Sequence, residues 1–223
     1  MGASLEFDTP ERPVAMAPER CLIAGWTGRD AAKVAHHIEE LAAIGVRRPS
    51  ATPLYYQVPE TLLTHAERIA VLGDQTGGEA EPVIFHDGSR RWLGLGSDHT
   101  DRALEATSVA HSKAVCAKPV SRRLWLFDEV ADRLDSLRLT SEISADGSTW
   151  TPYQDGTLAA IRPLEDLAAA MPGGETGAAL FCGTLPAIGG VRPTPWFRAA
   201  LFDPETDRGL SLRYTLDVLP VVA

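Results

Sequence analysis

Residues 77–102 read GGEAEPVIFHDGSRRWLGLGSDHTDR. Residues 81–86 and 90–96 are strand-like, and the Asp87-Gly88 between them is a strong short-range hairpin signal. A two-residue turn sets His86 opposite Ser89, Glu81 opposite Gly94 and Glu79 opposite Gly96. Paired residues share a face and alternate along each strand, so Glu79, Glu81 and Asp98 fall together on one side. The glycines across from both glutamates leave the space beside them without a side chain. Three clustered carboxylates repel one another unless a positive charge compensates, and an all-oxygen donor set selects a hard cation such as magnesium, manganese or calcium. The alternative reading is a solvated strand face that happens to carry acids at alternate positions.

Outward from this hairpin the text stays strand-like. RIAVLG (68–73), RRLWLF (122–127), LRLTSEIS (137–144), AALFCG (178–183), WFRAALF (196–202) and LSLRYTLDVLPVV (210–222) are separated by turn signals such as Asp146-Gly147 and Asp203-Pro204. Two helices are expected among them, one near residues 128–137 and one from Pro163 to just before Gly173-Gly174. Upstream, residues 21–24 form a short strand. Thr27-Gly28-Arg29-Asp30 then opens a helix that runs to about Ile44 and stops at Gly45, with Val34, Ile38 and Leu41 as its apolar stripe. The Pro-rich residues 50–64 suit an extended connection. The class is α+β, mainly β, with an N-terminal lobe and lid helix over residues 1–65 and a main body over 66–223.

Composition narrows the function. The chain has 223 residues, 44% hydrophobic and 23% charged, which is ordinary for a folded globular protein. Its formal net charge of −9 disfavours a grip on nucleic-acid phosphates or an anionic membrane. The basic pairs Arg47-Arg48, Arg90-Arg91 and Arg122-Arg123 are isolated. Cys21, Cys116 and Cys182 are odd in number, widely spaced and without zinc-finger partners, as expected of reduced thiols in the cytoplasm. No run approaches the length of a membrane span.

The hairpin carboxylates also begin a series of motifs. Glu79-Ala80-Glu81 is followed by Ser97-Asp98-His99-Thr100-Asp101-Arg102, then by Ser112-Lys113-Ala114-Val115-Cys116-Ala117-Lys118-Pro119. Gln154-Asp155-Gly156-Thr157 comes next, and Cys182-Gly183-Thr184-Leu185-Pro186-Ala187-Ile188-Gly189-Gly190 closes the series. In this order the chain resembles the fumarylacetoacetate hydrolase superfamily, whose motifs read E-x-E, N-D-x-S-x-R-D, A-K-S-F-D-x-F-C-P, Q-x-x-N-T and T-G-T-P-A-G-V-G. The resemblance spans about residues 21–220. It implies a mixed β-roll, generally dimeric, in which Glu79, Glu81 and Asp98 hold magnesium or manganese, with calcium a substitute in vitro. Arg102, Lys113, Gly183 and Thr184 then face the substrate.

The family also carries a His-x-x-Glu lid pair on an N-terminal helix. Here two such pairs overlap, His36 with Glu39 and His37 with Glu40, and the helical wheel favours His37 and Glu40, beside the apolar stripe. The implied chemistry is metal-dependent hydrolysis of a C–C bond in a small 2-oxo or 1,3-dicarbonyl acid through a metal-bound enolate, with His37 and Glu40 activating water and Lys113 assisting. Decarboxylation, hydration and isomerisation use the same enolate, and a non-catalytic metabolite-binding homologue is the competing class. The chain departs from the family in the short interval between Glu81 and Asp98, in the displaced lid pair and in the extra Leu185.

Overall fold

Runs of β-branched and aromatic residues, punctuated by glycine and aspartate, build two mixed sheets. A computed structural model describes residues 4–43 and 48–222, apart from the side chains of His37 and Leu41. The six-stranded sheet has the spatial order Trp125–Leu126, Arg91–Ser97, Ala80–His86, Ala178–Phe181, Arg20–Gly25, Leu54–Val58. The five-stranded sheet runs Thr151–Thr157, Arg138–Ser144, Trp196–Asp203, Arg208–Leu219, Arg68–Leu72. Each contains one parallel pair, Ala178–Phe181 with Arg20–Gly25 and Arg208–Leu219 with Arg68–Leu72, among antiparallel neighbours. Segments from both ends of the chain thus meet in one sheet.

Alternation decides which side chains go where. In Trp196–Asp203 every second residue is buried, the mark of a sheet wet on one face. Ala80–His86 and Arg91–Ser97 are buried on both faces. Ile84, Leu93, Leu95, Leu180 and Leu22 share a core with Leu139, Phe197, Leu201 and Tyr214 of the other sheet. Val83, Phe85, Trp92, Phe181 and Ile23 form a second core, closed by Leu5, Phe7, Val120 and Leu124. The six-stranded sheet is therefore a middle layer, and Glu81 belongs by alternation to its second face.

The hairpin differs from its expected register. His86 pairs with Arg91 and Glu81 with Gly96, so the loop is four residues long, not two. The cause is the Asp87 carboxylate, which accepts from Ser89 N (2.9 Å), Ser89 Oγ (2.9 Å), Arg90 N (2.8 Å) and Trp92 Nε1 (2.7 Å) and so closes a wider turn. The register moves by two residues, an even step that leaves every side chain on its expected face. The open space expected beside the glycines is also absent. A Cβ on Gly96 would lie 2.5 Å from Phe181 and 2.7 Å from Val83, and one on Gly94 2.8 Å from Leu124. These glycines make room for core side chains, not for an ion.

Burial pushes the Asp87 carboxyl up, but its donors outweigh that and hold it below the usual carboxylate range. Its stabilising contribution is therefore complete above the unfolded pKa and lost as pH falls through the folded one. Asp87→Ala is expected to cost about 1–3 kcal/mol at neutral pH. Urea melts at neutral and acid pH will show the gap to the wild type narrowing in acid.

Other elements depart for identifiable reasons. The helix expected near residues 128–137 is two 3-10 segments, Phe127–Glu129 and Ala131–Ser136. Arg133 leaves helical geometry there (φ −131°) and its Nε reaches Asp203 Oδ2 at 3.1 Å. The N-terminal helix is Ala31–Ala43, with Asp30 Oδ1 accepting from Ala32 N (3.0 Å) and Lys33 N (3.1 Å). Its expected stop, Gly45, lies outside the described residues. The strands Leu5–Phe7 and Thr151–Thr157 and the helices Arg102–Glu105 and Val109–Ala114 are additional to the elements read from the sequence.

Candidate active site and cation centre

The open end of the central hairpin carries the acids. Asp98 N donates to Glu79 O at 3.0 Å, placing the two residues across from each other just beyond the paired strands. The chain then turns back through Thr100–Asp101, which pairs with Thr76–Gly77, and Asp101 Oδ1 caps Arg102–Glu105 by accepting from Leu104 N (2.9 Å). Ser108 caps Val109–Ala114 in the same way (3.3 Å), and that helix delivers Lys113. Lys118 arrives on Lys118–Pro119, paired with Leu63–Thr64.

The cluster so formed is deeply buried, with Asp98 and Lys118 at 0% exposure, Glu81 at 3% and Lys113 at 7%. The Lys113 ammonium donates to Asp98 Oδ2. Lys118 Nζ donates to His99 O (2.5 Å) and lies 3.2 Å from Asp98 Oδ1, close enough for an ion pair but without hydrogen-bond geometry, so that oxygen keeps an unspent lone pair. Arg102 reaches Glu79 (3.0 Å), Glu105 (2.9 Å) and Gly77 O (3.1 Å), while its buried Nε has no partner. Glu81 Oε2 accepts from Gly183 N at 2.8 Å.

Electrostatics drive the two central carboxylates apart. Burial raises Glu81 well above the usual carboxylate range, the Asp98 charge adds to the rise, and Lys113 and the Gly183 amide oppose it. Asp98 is buried as deeply, yet Lys113 and Lys118 hold it down at about 2. Lys113 is raised despite burial because Asp98 and Glu79, with Glu81 behind them, surround its ammonium. His99 is pushed down to about 3 by burial beside Lys118 and Arg102, and stays a neutral imidazole. Its Nδ1 and Nε2 bridge Tyr214 OH and Thr76 Oγ1, both at 2.9 Å. His99 is thus a structural brace for the loop that presents Asp98.

Gly183 has φ +95°, and a Cβ there would lie 1.7 Å from Thr27 Oγ1. Gly183→Ala is expected to cost about 2–4 kcal/mol from overpacking and backbone strain together. Thermal melts will show the loss. Neighbouring Thr184 donates to Ala80 O (2.8 Å) and accepts from Gln154 Nε2 (2.5 Å), tying its loop to the first residue of the hairpin strand.

The structure therefore gathers Glu79, Glu81, Asp98, Arg102, Lys113 and Gly183 at one place, with Thr184 adjoining. Glu40 sits on the outer helix, 3.3 Å from His36, with the two side chains 59% and 76% exposed. His37, the other half of the expected pair, lies outside the described residues as a side chain. Lys118, His99 and Ser97, which lie within the quoted motifs, and Tyr214, which does not, complete the surroundings of Asp98.

Among the described residues, no three histidine, cysteine or acidic side chains are grouped closely enough to hold a metal ion as they stand. Each carboxylate is instead turned to a cationic or amide donor. The donor chemistry nonetheless fits a hard cation: the oxygens are carboxylate, the Asp98 Oδ1 lone pair is unspent, and Glu81 resists ionisation beside Asp98 and Glu79. A cleft of about 690 Å³ lined by Arg122, Arg123, Arg198 and Arg213 contains none of these residues.

The sequence profile of a family described as a protein of unknown function, DUF2848, matches residues 24–214. The chain belongs to the DUF2848 family. No curated protein matches it. Among solved structures, this DUF2848 chain is similar to a protein described as a candidate fumarylpyruvate hydrolase from Burkholderia cenocepacia, with a TM-score of 0.63 and 17% identity over 99% of this chain and 97% of that one. It is also similar to a 2-keto-3-deoxy-D-arabinonate dehydratase complexed with magnesium and 2,5-dioxopentanoate, with a TM-score of 0.64 and 17% identity over 94% and 78% of the two chains. The chain shares its fold with both proteins, in keeping with the α+β, mainly β architecture expected from the sequence.

Proposed function

We propose that this chain is an enzyme of small 2-oxo acids that works with a divalent cation held by Glu79, Glu81 and Asp98. The observation that carries the reading is the burial of two mutually repelling carboxylates, Glu81 and Asp98, with the half-buried Glu79 beside them and Lys113 and Arg102 close by at the open end of one hairpin, a costly arrangement for a fold to keep without use. Magnesium or manganese, when bound, supplies Lewis-acid polarisation of the 2-oxo group. The Lys113 ammonium and the unspent Nε of Arg102 are donors for the acid's carboxylate. Glu79 and Glu105 fix the guanidinium in one orientation, and the Gly183 amide fixes Glu81. The reading places the protein in the cytoplasm as a homodimer.

Hydrolysis of a C–C bond in a 2-oxo or 1,3-dicarbonyl acid needs a base for water, and His37 with Glu40 is the pair the sequence offers. The exposure of Glu40 on the outer helix favours a second reading, dehydration of a hydroxylated 2-oxo acid, which needs no activated water. Turnover with magnesium or manganese, against acylpyruvates, oxaloacetate and 2-keto-3-deoxy sugar acids, separates these by product. Cation-dependent loss of one substrate, abolished in Glu81→Gln, is the expected result. Cation binding without turnover of any oxo acid would make the protein a metabolite-binding relative.

A further inference from the structure

Two lysines meet Asp98, and they are not equivalent. Lys118 is fully buried, and its Nζ is held by the His99 carbonyl as well as by Asp98. Its strand is paired with Leu63–Thr64, which fixes its backbone. Lys113 stands in the last turn of Val109–Ala114, and its ammonium lies 5.8 Å from the centre of the half-buried Tyr56 ring. That ring is a second favourable resting place for a cation released from a carboxylate.

We propose that Lys118 is the fixed counter-ion of Asp98 and Lys113 the exchangeable one: a divalent cation takes the place of Lys113 beside Asp98, and the freed ammonium binds the substrate carboxylate. The inference rests on the cation reading above. Charge balance supports it, because Glu79, Glu81, Asp98 and Glu105 already face Arg102, Lys113 and Lys118, one negative charge in excess at most. A divalent cation added alone leaves the buried cluster with excess positive charge, which an anionic 2-oxo acid offsets. Cation and substrate therefore bind with positive and reciprocal coupling. Lys118 acts as a positioning residue that keeps Asp98 in place while its other partner changes.

Reductive methylation of the intact protein, read by mass spectrometry with and without saturating magnesium, tests the exchange, with binding followed independently by calorimetry. Lys113 is expected to be protected without the cation and modified about tenfold faster with it, the factor appropriate to losing one charge-assisted hydrogen bond. Pyruvate added with magnesium is expected to restore protection, and Lys118 to stay unmodified throughout. Magnesium binding with Lys113 labelling unchanged, or with Lys118 labelled as readily, would overturn the exchange and leave the cation reading standing. No magnesium binding at all would overturn both.

Discussion

Replacing Asp98 by alanine is expected to lower the stability of the fold by about 3 kcal/mol, because it leaves the buried ammonium groups of Lys113 and Lys118 without their shared anion. The effect falls at the lower end of the usual range for breaking a buried pair, since Glu81, freed from the Asp98 charge, ionises more readily and takes up part of the lysine charge. A loss of that size lowers the melting temperature of a chain this long by roughly 6–12 °C. The pH dependence has a definite sign. The folded pKa of Asp98 is depressed to about 2, so its contribution is complete above the ordinary aspartate value and is lost as pH falls toward 2. Chemical denaturation of both proteins across that window will show the gap closing in acid. A gap unchanged with pH would mean that Asp98 stabilises by packing and not by charge.

Glu81→Gln is expected to have two opposite effects. Glu81 is buried and its folded pKa is raised, so its contribution to stability is present below the unfolded pKa and lost as pH rises through the folded one. At neutral pH the wild type therefore bears the cost of a carboxylate held near Asp98 and Glu79, which a neutral amide of the same shape does not. The glutamine carbonyl can still accept from Gly183 N, so the loop bond survives. The variant is expected to be about 1 kcal/mol more stable than the wild type near neutrality, with the difference vanishing in acid. On the proposed function, turnover of an oxo acid is expected to fall by about 10²-fold or more, because the variant lacks one of the carboxylates proposed to hold the cation. Gain of stability with loss of function is the signature of a strained functional residue. Loss of both would mark Glu81 as purely structural.

The face shared by Glu79, Glu81 and Asp98 was legible from period-two alternation alone, and it survived a misplaced turn because the register moved by an even number of residues. The turn itself was misread because Asp87-Gly88 is a two-residue signal only when the aspartate side chain is idle. Here it binds four donors and builds a longer loop. The glycines opposite the acids were read as space for an ion. Their real occupants, Phe181 and Leu124, come from segments distant in sequence, and no local pattern announces a long-range contact.

Lys118 stands inside a quoted motif, but its contact with Asp98 was hidden for a related reason. Its role depends on a pairing with Leu63–Thr64 that brings it beneath Asp98. Val130, Leu134 and Leu137 have helical spacing and are all buried, yet the pull of Asp203 on Arg133 breaks the helix between them. Motif order carried the fold further than propensity did, because it samples residues from five separate elements at once.

The most direct test of the account is manganese binding to the wild type and to Glu81→Gln, followed by electron paramagnetic resonance of the free ion. One site per chain in the wild type, lost in a variant that melts no lower, is the predicted result. Equal binding by both proteins would contradict the assignment of the buried hairpin carboxylates as the cation site.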